Sequence, residues 1–166
     1  MPHIQPIATC LWFDNQAEEA ASFYTSIFKD SKINQITRYP AVGQEIHQRP
    51  AGSVMVVAFE LNGRPFSALN GGPIFKFNEA ISLQIMCKTQ DEIDYYWERL
   101  GAGGDPKAQQ CGWLKDKFGL SWQVVPAIVS DLVKDHASEN AKRAMAVMLK
   151  MKKLNIAELE RAYAGK

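Results

Sequence analysis

NGGPIFKFNEAISLQIMC, residues 70–87, divides the chain and reveals how its two halves are built. Asn70-Gly71-Gly72-Pro73 is a strong break: the glycines permit positive φ, and proline lacks a backbone donor and has a fixed φ. Behind the break the residues alternate. Leu83, Ile85 and Cys87 fall on one side, and Ser82, Gln84 and Met86 on the other. A strand between two different environments has this pattern.

The residues before this stretch read as β-α-β-β-β. Residues 4–13 are an apolar run of strand length. Asn15, with Glu18 three positions on, predicts a helix N-cap and capping box. Ala20, Phe23, Tyr24 and Ile27 then predict one apolar helical face. Residues 33–39 and 54–61 read as strands, with a polar loop over 40–52. Asn62-Gly63 is a two-residue hairpin signal, and 65–69 is the returning strand.

The residues after the break repeat the plan. Thr89 with Glu92 predicts a second capping box, and Ile93, Tyr96, Trp97 and Leu100 a second helical face, at a nearly constant offset from the first. Residues 109–114 and 120–125 read as strands around the turn Lys117-Phe118-Gly119, with a further short strand expected between them. Such an internal repeat constrains the fold more than any single motif. From 126 onward the pattern is helical. Ser138 predicts a cap for a helix carrying Ala141, Met145, Met148 and Leu149, and Asn155 with Glu158 a cap for one bearing Ile156, Leu159 and Tyr163. The methionines suit a core or a dimer seam better than a promiscuous binding surface. The expected organisation is a first module over 1–73, a second over 74–127 and a helical extension over 128–166.

With 166 residues, 46% of them hydrophobic and 22% charged, the chain is long enough to bury a core without staples. Three widely spaced cysteines argue against a disulfide framework, and reduced thiols in a cytoplasmic protein are expected. No apolar run approaches the roughly 18 residues of a membrane span, and no leader pattern opens the sequence. Residues 134–166 carry eight Lys/Arg against four Asp/Glu. No aromatic platform for bases accompanies them, so a solvated helix face is expected, with neither nucleic acid nor membrane as partner.

Two such modules in one chain resemble the vicinal oxygen chelate superfamily of glyoxalase I, extradiol dioxygenases and bleomycin-resistance proteins. LWFDNQAEEAASFY (11–24), FELNGRPFSALNGGP (59–73), FKFNEAISLQ (75–84), YYWERL (95–100) and CGWLKDKFGLSWQVVP (111–126) are similar to its PhnB-like branch, often labelled 3-demethylubiquinone-9 3-methyltransferase. The likeness extends over nearly the whole chain, C-terminal helices included. It implies an α+β fold in which two βαβββ modules form an incompletely closed, eight-stranded mixed β-barrel with flanking helices, usually in a homodimer.

The resemblance also implies where a divalent ion would sit in metal-binding relatives. Those positions fall on Ile7, within 66–69, on Ala80 and on Gln123, none of which supplies a carboxylate or imidazole. Glu79 is one residue out of phase. His3, His47 and His136 read as surface residues. No metal and no cofactor are expected.

Alternation and the implied ligand phase put Ile7, Thr9 and Leu11 inside the barrel, with Ser82, Gln84 and Met86, and with Ser121, Gln123 and Val125. That is a mixed lining suited to a small molecule, although a filled interior whose polar groups satisfy one another fits it too. Trp12, Phe77 and Trp113 are candidates to stack on a flat ligand, and each alone is more often core or interface. Asn70, Asn78 and Glu79 flank the central break, where turn capping explains them as readily as recognition. The candidate ligand-binding set is Thr9, Trp12, Asn70, Phe77, Ser82, Gln84, Trp113 and Gln123.

The function expected is metal-independent binding of a small molecule. The alternatives are an enzyme of the superfamily, of lyase, dioxygenase or isomerase type, and a scaffold for interaction. The methyltransferase label has little support, because no strand runs through a Gly-rich turn into a helix.

Overall fold

The computed structural model describes residues 7–166. His3 and the first residues of the expected opening strand, 4–6, lie outside them. The chain divides into two compact units, residues 1–76 and 77–166.

The first unit runs β1 (Thr9–Phe13), α1 (Ala17–Ile27), β2 (Lys32–Arg38), α2 (Gln44–His47), β3 (Val54–Leu61) and β4 (Arg64–Asn70). The strands form one sheet in the order β1-β4-β3-β2. β1 lies parallel to β4 and the other pairs are antiparallel. Asn62 (φ 49°) and Gly63 (φ 72°) close the β3–β4 hairpin with two positive φ angles, the geometry of a type I′ turn. β2 is an edge strand with two register irregularities. The expected loop over 40–52 contains the single turn α2.

Ala17, Ala20, Ala21, Tyr24 and Ile27 form the buried face of α1. Three alanines allow the helix to approach the sheet closely, and Tyr24 stacks on Phe59 of β3 at 6.4 Å. Val57, Phe59, Leu61, Leu11, Phe13 and Ala68 complete this core. Burial of a side chain the size of Phe59 stabilises the unit by about 2–3 kcal/mol. The expected cap at Asn15 does not form. The helix starts at Ala17 behind Gln16, which makes no side-chain cap bond. Asn70, at the end of β4, accepts the Ala17 amide through Oδ1 at 2.8 Å instead.

The second unit runs β5 (Leu83–Cys87), α3 (Gln90–Gly101), a 3-10 turn (Pro106–Ala108), β6 (Trp113–Lys115), β7 (Ser121–Pro126), α4 (Val129–Val133), α5 (Glu139–Met148) and α6 (Ile156–Ala164). Its sheet has the order β5-β7-β6, with β5 parallel to β7 as β1 is to β4. Here the expected capping box forms in full: Thr89 accepts from the Glu92 amide, and Glu92 accepts from the Thr89 amide. Ile93, Trp97 and Leu100 of α3 are buried, as are Leu114, Trp122, Val124 and Cys87.

The described residues hold seven strands in two separate sheets, rather than an eight-stranded barrel. The second module is βαββ. Gly103, Gly104 and Pro106 break the chain after α3, and Cys111 (φ 51°) with Gly112 (φ 83°) then makes a tight turn bridged by Gln110 and Trp113. The strand expected over 109–114 shrinks to the three residues of β6, and no further strand forms between it and β7.

The C-terminal helices belong to this second unit. The Cys111 and Gly112 amides donate to the Met151 and Lys152 carbonyls at 2.7 and 2.8 Å. Gln90 of α3 donates to the Leu154 carbonyl and accepts from the Ile156 amide, holding the start of α6. Leu154 and Leu159 are buried. Ser138 and Asn155 cap α5 and α6 as the sequence predicts.

Candidate functional site

The three-stranded sheet has one face packed in the core and one that opens toward β5, where Gln84 and Met86 are exposed, and closes at Ser121. Leu114, Trp122, Val124 and Cys87 occupy the covered side. The intervening residues Trp113 and Lys115, Ser121, Gln123 and Val125, and Gln84 and Met86 share the other face, because successive strand residues alternate. Register sets them in rows. Gln84 and Trp113 both pair with Gln123, Met86 pairs with Val125, and Lys115 pairs with Ser121.

The polar side chains of this face are joined. Gln123 Nε2 donates to Ser82 Oγ at 2.7 Å, and Gln84 Nε2 donates to Gln123 Oε1 at 3.1 Å. Ser82 precedes β5, and the Gln123 bond fixes it beside the strand. This chain of dipoles ends in groups that can still bond: the Ser82 hydroxyl proton at one end and the Gln84 carbonyl at the other. Met86 (54% exposed) and Val125 add apolar surface. At the far edge Lys115 forms an ion pair with Glu79, and its hydrogen bond holds the Glu79 carboxyl below the usual carboxylate range. Ser121 is buried and its hydroxyl has no hydrogen-bond partner.

Of the sequence candidates, Ser82, Gln84, Trp113 and Gln123 share this face. Phe77 is half-buried in the irregular segment before β5. Thr9, Trp12 and Asn70 belong to the other unit. The phase expected for β1 is reversed. Thr9 pairs with Phe66 and Leu11 with Ala68, and Phe66 pairs with Phe59 on the side that meets α1. Leu11 is therefore core, Thr9 lies on the helix side, and Ile7, 91% exposed, precedes the strand.

Trp12 takes the opposite face, with its indole committed to the central break. Its Nε1 donates to the Gly72 carbonyl at 2.8 Å, and Phe75 meets its ring edge-on at 4.9 Å. A Cβ on Gly71 would sit 2.2 Å from the ring, so close approach requires glycine there. Asn70 is also committed: besides the Ala17 amide it holds the Val54 carbonyl through Nδ2 at 3.1 Å. It lines a hollow of about 270 Å³ with Asn15, Glu18, Arg49, Pro50, Ser53 and Val54. Ser121 was expected on this face, and Lys115, which stands opposite it, was not. Alternation from Trp113 to Lys115 was the signal, hidden by the overlong strand expected there.

The donor set does not fit a divalent ion, which needs three or four converging N, O or S ligands. Among the described residues no three His, Cys, Asp or Glu side chains are grouped to hold one. Gln123 is the only one of the implied positions on this face, and its amide is already bonded on both sides. Nor do the helix starts suit an anionic nucleotide-like cofactor. The turns from β1 to α1 and from β5 to α3 contain no glycine, and both helices carry two acidic residues in the first turn.

Residues 5–125 match the sequence pattern of the 3-demethylubiquinone-9 3-methyltransferase family. The chain belongs to that family. The match ends before α4, so the likeness expected over the C-terminal helices is not part of it. Among solved structures, the PhnB protein of Bacillus cereus is 38% identical, with a TM-score of 0.62 over 74% of this chain and 100% of its own. Protein PA1353 of Pseudomonas aeruginosa is 17% identical, with a TM-score of 0.55 over 74% and 98%. The fosfomycin resistance protein FosX of Listeria monocytogenes is 14% identical, with a TM-score of 0.49 over 82% and 98%. No curated protein matches the chain.

Proposed function

We propose that this PhnB-like chain binds a small molecule on the open face of its three-stranded sheet without the help of a metal ion. The supporting observation is the Ser82–Gln123–Gln84 chain, which offers one donor and one acceptor beside Trp113, Met86 and Val125. Neutral amides orient a ligand by hydrogen bonding and have no charge with which to hold a cation. Methyl transfer, the activity in the family's name, is the second reading, and the glycine-free, acid-flanked helix starts speak against it.

The test is Gln123→Ala, followed by denaturant melts with and without ligands found by thermal-shift screening of metabolites in the presence of EDTA. Under this reading affinity weakens by about 1–2 kcal/mol and stability changes little, because water can replace the amide on an open face. Loss of about 2 kcal/mol or more of stability with unchanged affinity would make Gln123 a core residue and overturn the assignment. We also propose that the chain works as a homodimer, as the resemblance implies.

A further inference from the structure

We propose that the ligand of this face is a flat carboxylate received by Lys115 and Ser121, and that Glu79 is its internal stand-in. The inference rests on the reading of the open face as a ligand platform, and it names the class of ligand.

The ion pair is lopsided. The Lys115 side chain is 24% exposed and that of Glu79 is 65% exposed. The lysine stem packs along the sheet and fixes where the ammonium sits, whereas its partner hangs in water from the irregular segment between β4 and β5. An exposed carboxylate leaves such a pair at little cost. A ligand carboxylate could therefore replace it like for like.

Directly opposite Lys115 stands Ser121, whose hydroxyl is buried and unpartnered. Buried hydroxyls are ordinarily bonded, and an exception asks for an explanation. Facing residues of antiparallel strands have their Cβ atoms about 5 Å apart, which brings the Ser121 hydroxyl within the sweep of the flexible Lys115 side chain; in the proposed complex the two serve the two oxygens of one carboxylate. Trp113 lies two residues along β6 from Lys115 on the same face, about 7 Å away. That is the span of a six-membered ring bearing a carboxyl group. Gln123, opposite Trp113, then meets the ring's far substituents. The face presents one cation, which suits a monoanion better than a phosphate dianion.

The experiment is calorimetric titration of benzoate, 4-hydroxybenzoate, benzamide and inorganic phosphate into the wild-type chain and the Glu79→Gln, Lys115→Met and Gln123→Ala variants. Benzoate is expected to bind Glu79→Gln about tenfold tighter than wild type, a gain that misfolding cannot mimic. Lys115→Met, checked for folding by its melting curve, is expected to lose benzoate binding. Benzamide is expected to be indifferent to both changes. Equal benzoate affinity in wild type and Glu79→Gln overturns the inference, as does failure of benzoate to bind either chain. An equal gain for phosphate would reduce the site to an adventitious ion only, which also overturns it. Benzamide binding that is lost in Gln123→Ala and insensitive to Glu79 would sink the carboxylate while leaving the platform standing. Binding of 4-hydroxybenzoate, which has a far substituent, that depends on Glu79 and ignores Gln123 would do the reverse.

Discussion

Cys87 sits at the end of β5 with 1% of its surface exposed, and burial pushes its thiol up to about 11, with Glu92 adding repulsion. Burial also raises the half-buried Cys111, while Cys10 is exposed on β1. Thiolates are the reactive species. Iodoacetamide at pH 8 should therefore label Cys10 alone in the native protein, and all three cysteines after unfolding; mass spectrometry of the digests would reveal the pattern. The folded chain keeps a proton on Cys87 that the unfolded chain releases near pH 9. Its contribution to stability is thus complete below that pH and is lost as pH rises toward 11. Asp116 is a buried carboxyl that is well supplied with donors. It accepts from the Phe118 and Leu120 amides and from Trp122 Nε1 at 2.8–3.1 Å, fixing the turn between β6 and β7.

At the scale of elements, the two helix starts separate what sequence can and cannot reveal. Thr89 and Glu92 cap α3 from within the chain segment that reads as a cap. α1 carries a similar local signal in Asn15 and Glu18, but Asn70 takes the Ala17 amide from 53 positions away. Nothing local announces a partner at that distance. Asn70→Ala should cost about 2 kcal/mol in a urea melt, since it removes a cap and strips the Val54 carbonyl of its bond. Asn15→Ala should cost less than about 0.5 kcal/mol. Comparable losses would mean the local cap forms in solution after all.

Strand existence was legible wherever alternation ran for five residues or more, as in 83–87 and 121–126. The strand expected over 109–114 failed because Cys111 and Gly112 fold into positive φ, which hydrophobic pattern does not encode. The open-face residues Ser82, Gln84 and Gln123 were legible from period-two alternation. Thr9 was not, because a one-residue error in phase exchanges the two faces of a strand.

At the scale of the molecule, the proposed homodimer is checked by sedimentation equilibrium, with about twice the chain mass of 18.6 kDa expected at micromolar concentration. A clean monomer would refute it. The strap running from α5 into α6 concerns synthesis. Gln90 and Ile156 are bonded across 66 positions, and the turn at Cys111 is held by Met151. The first unit has every strand of its sheet by Asn70, whereas the second lacks Leu154 and Leu159 until its last helix has been made. On the ribosome, where earlier domains fold first, the first unit can finish while the second must wait. During that interval Trp122, Leu114 and Trp97 are held without the rest of their core, which makes them natural contacts for a chaperone.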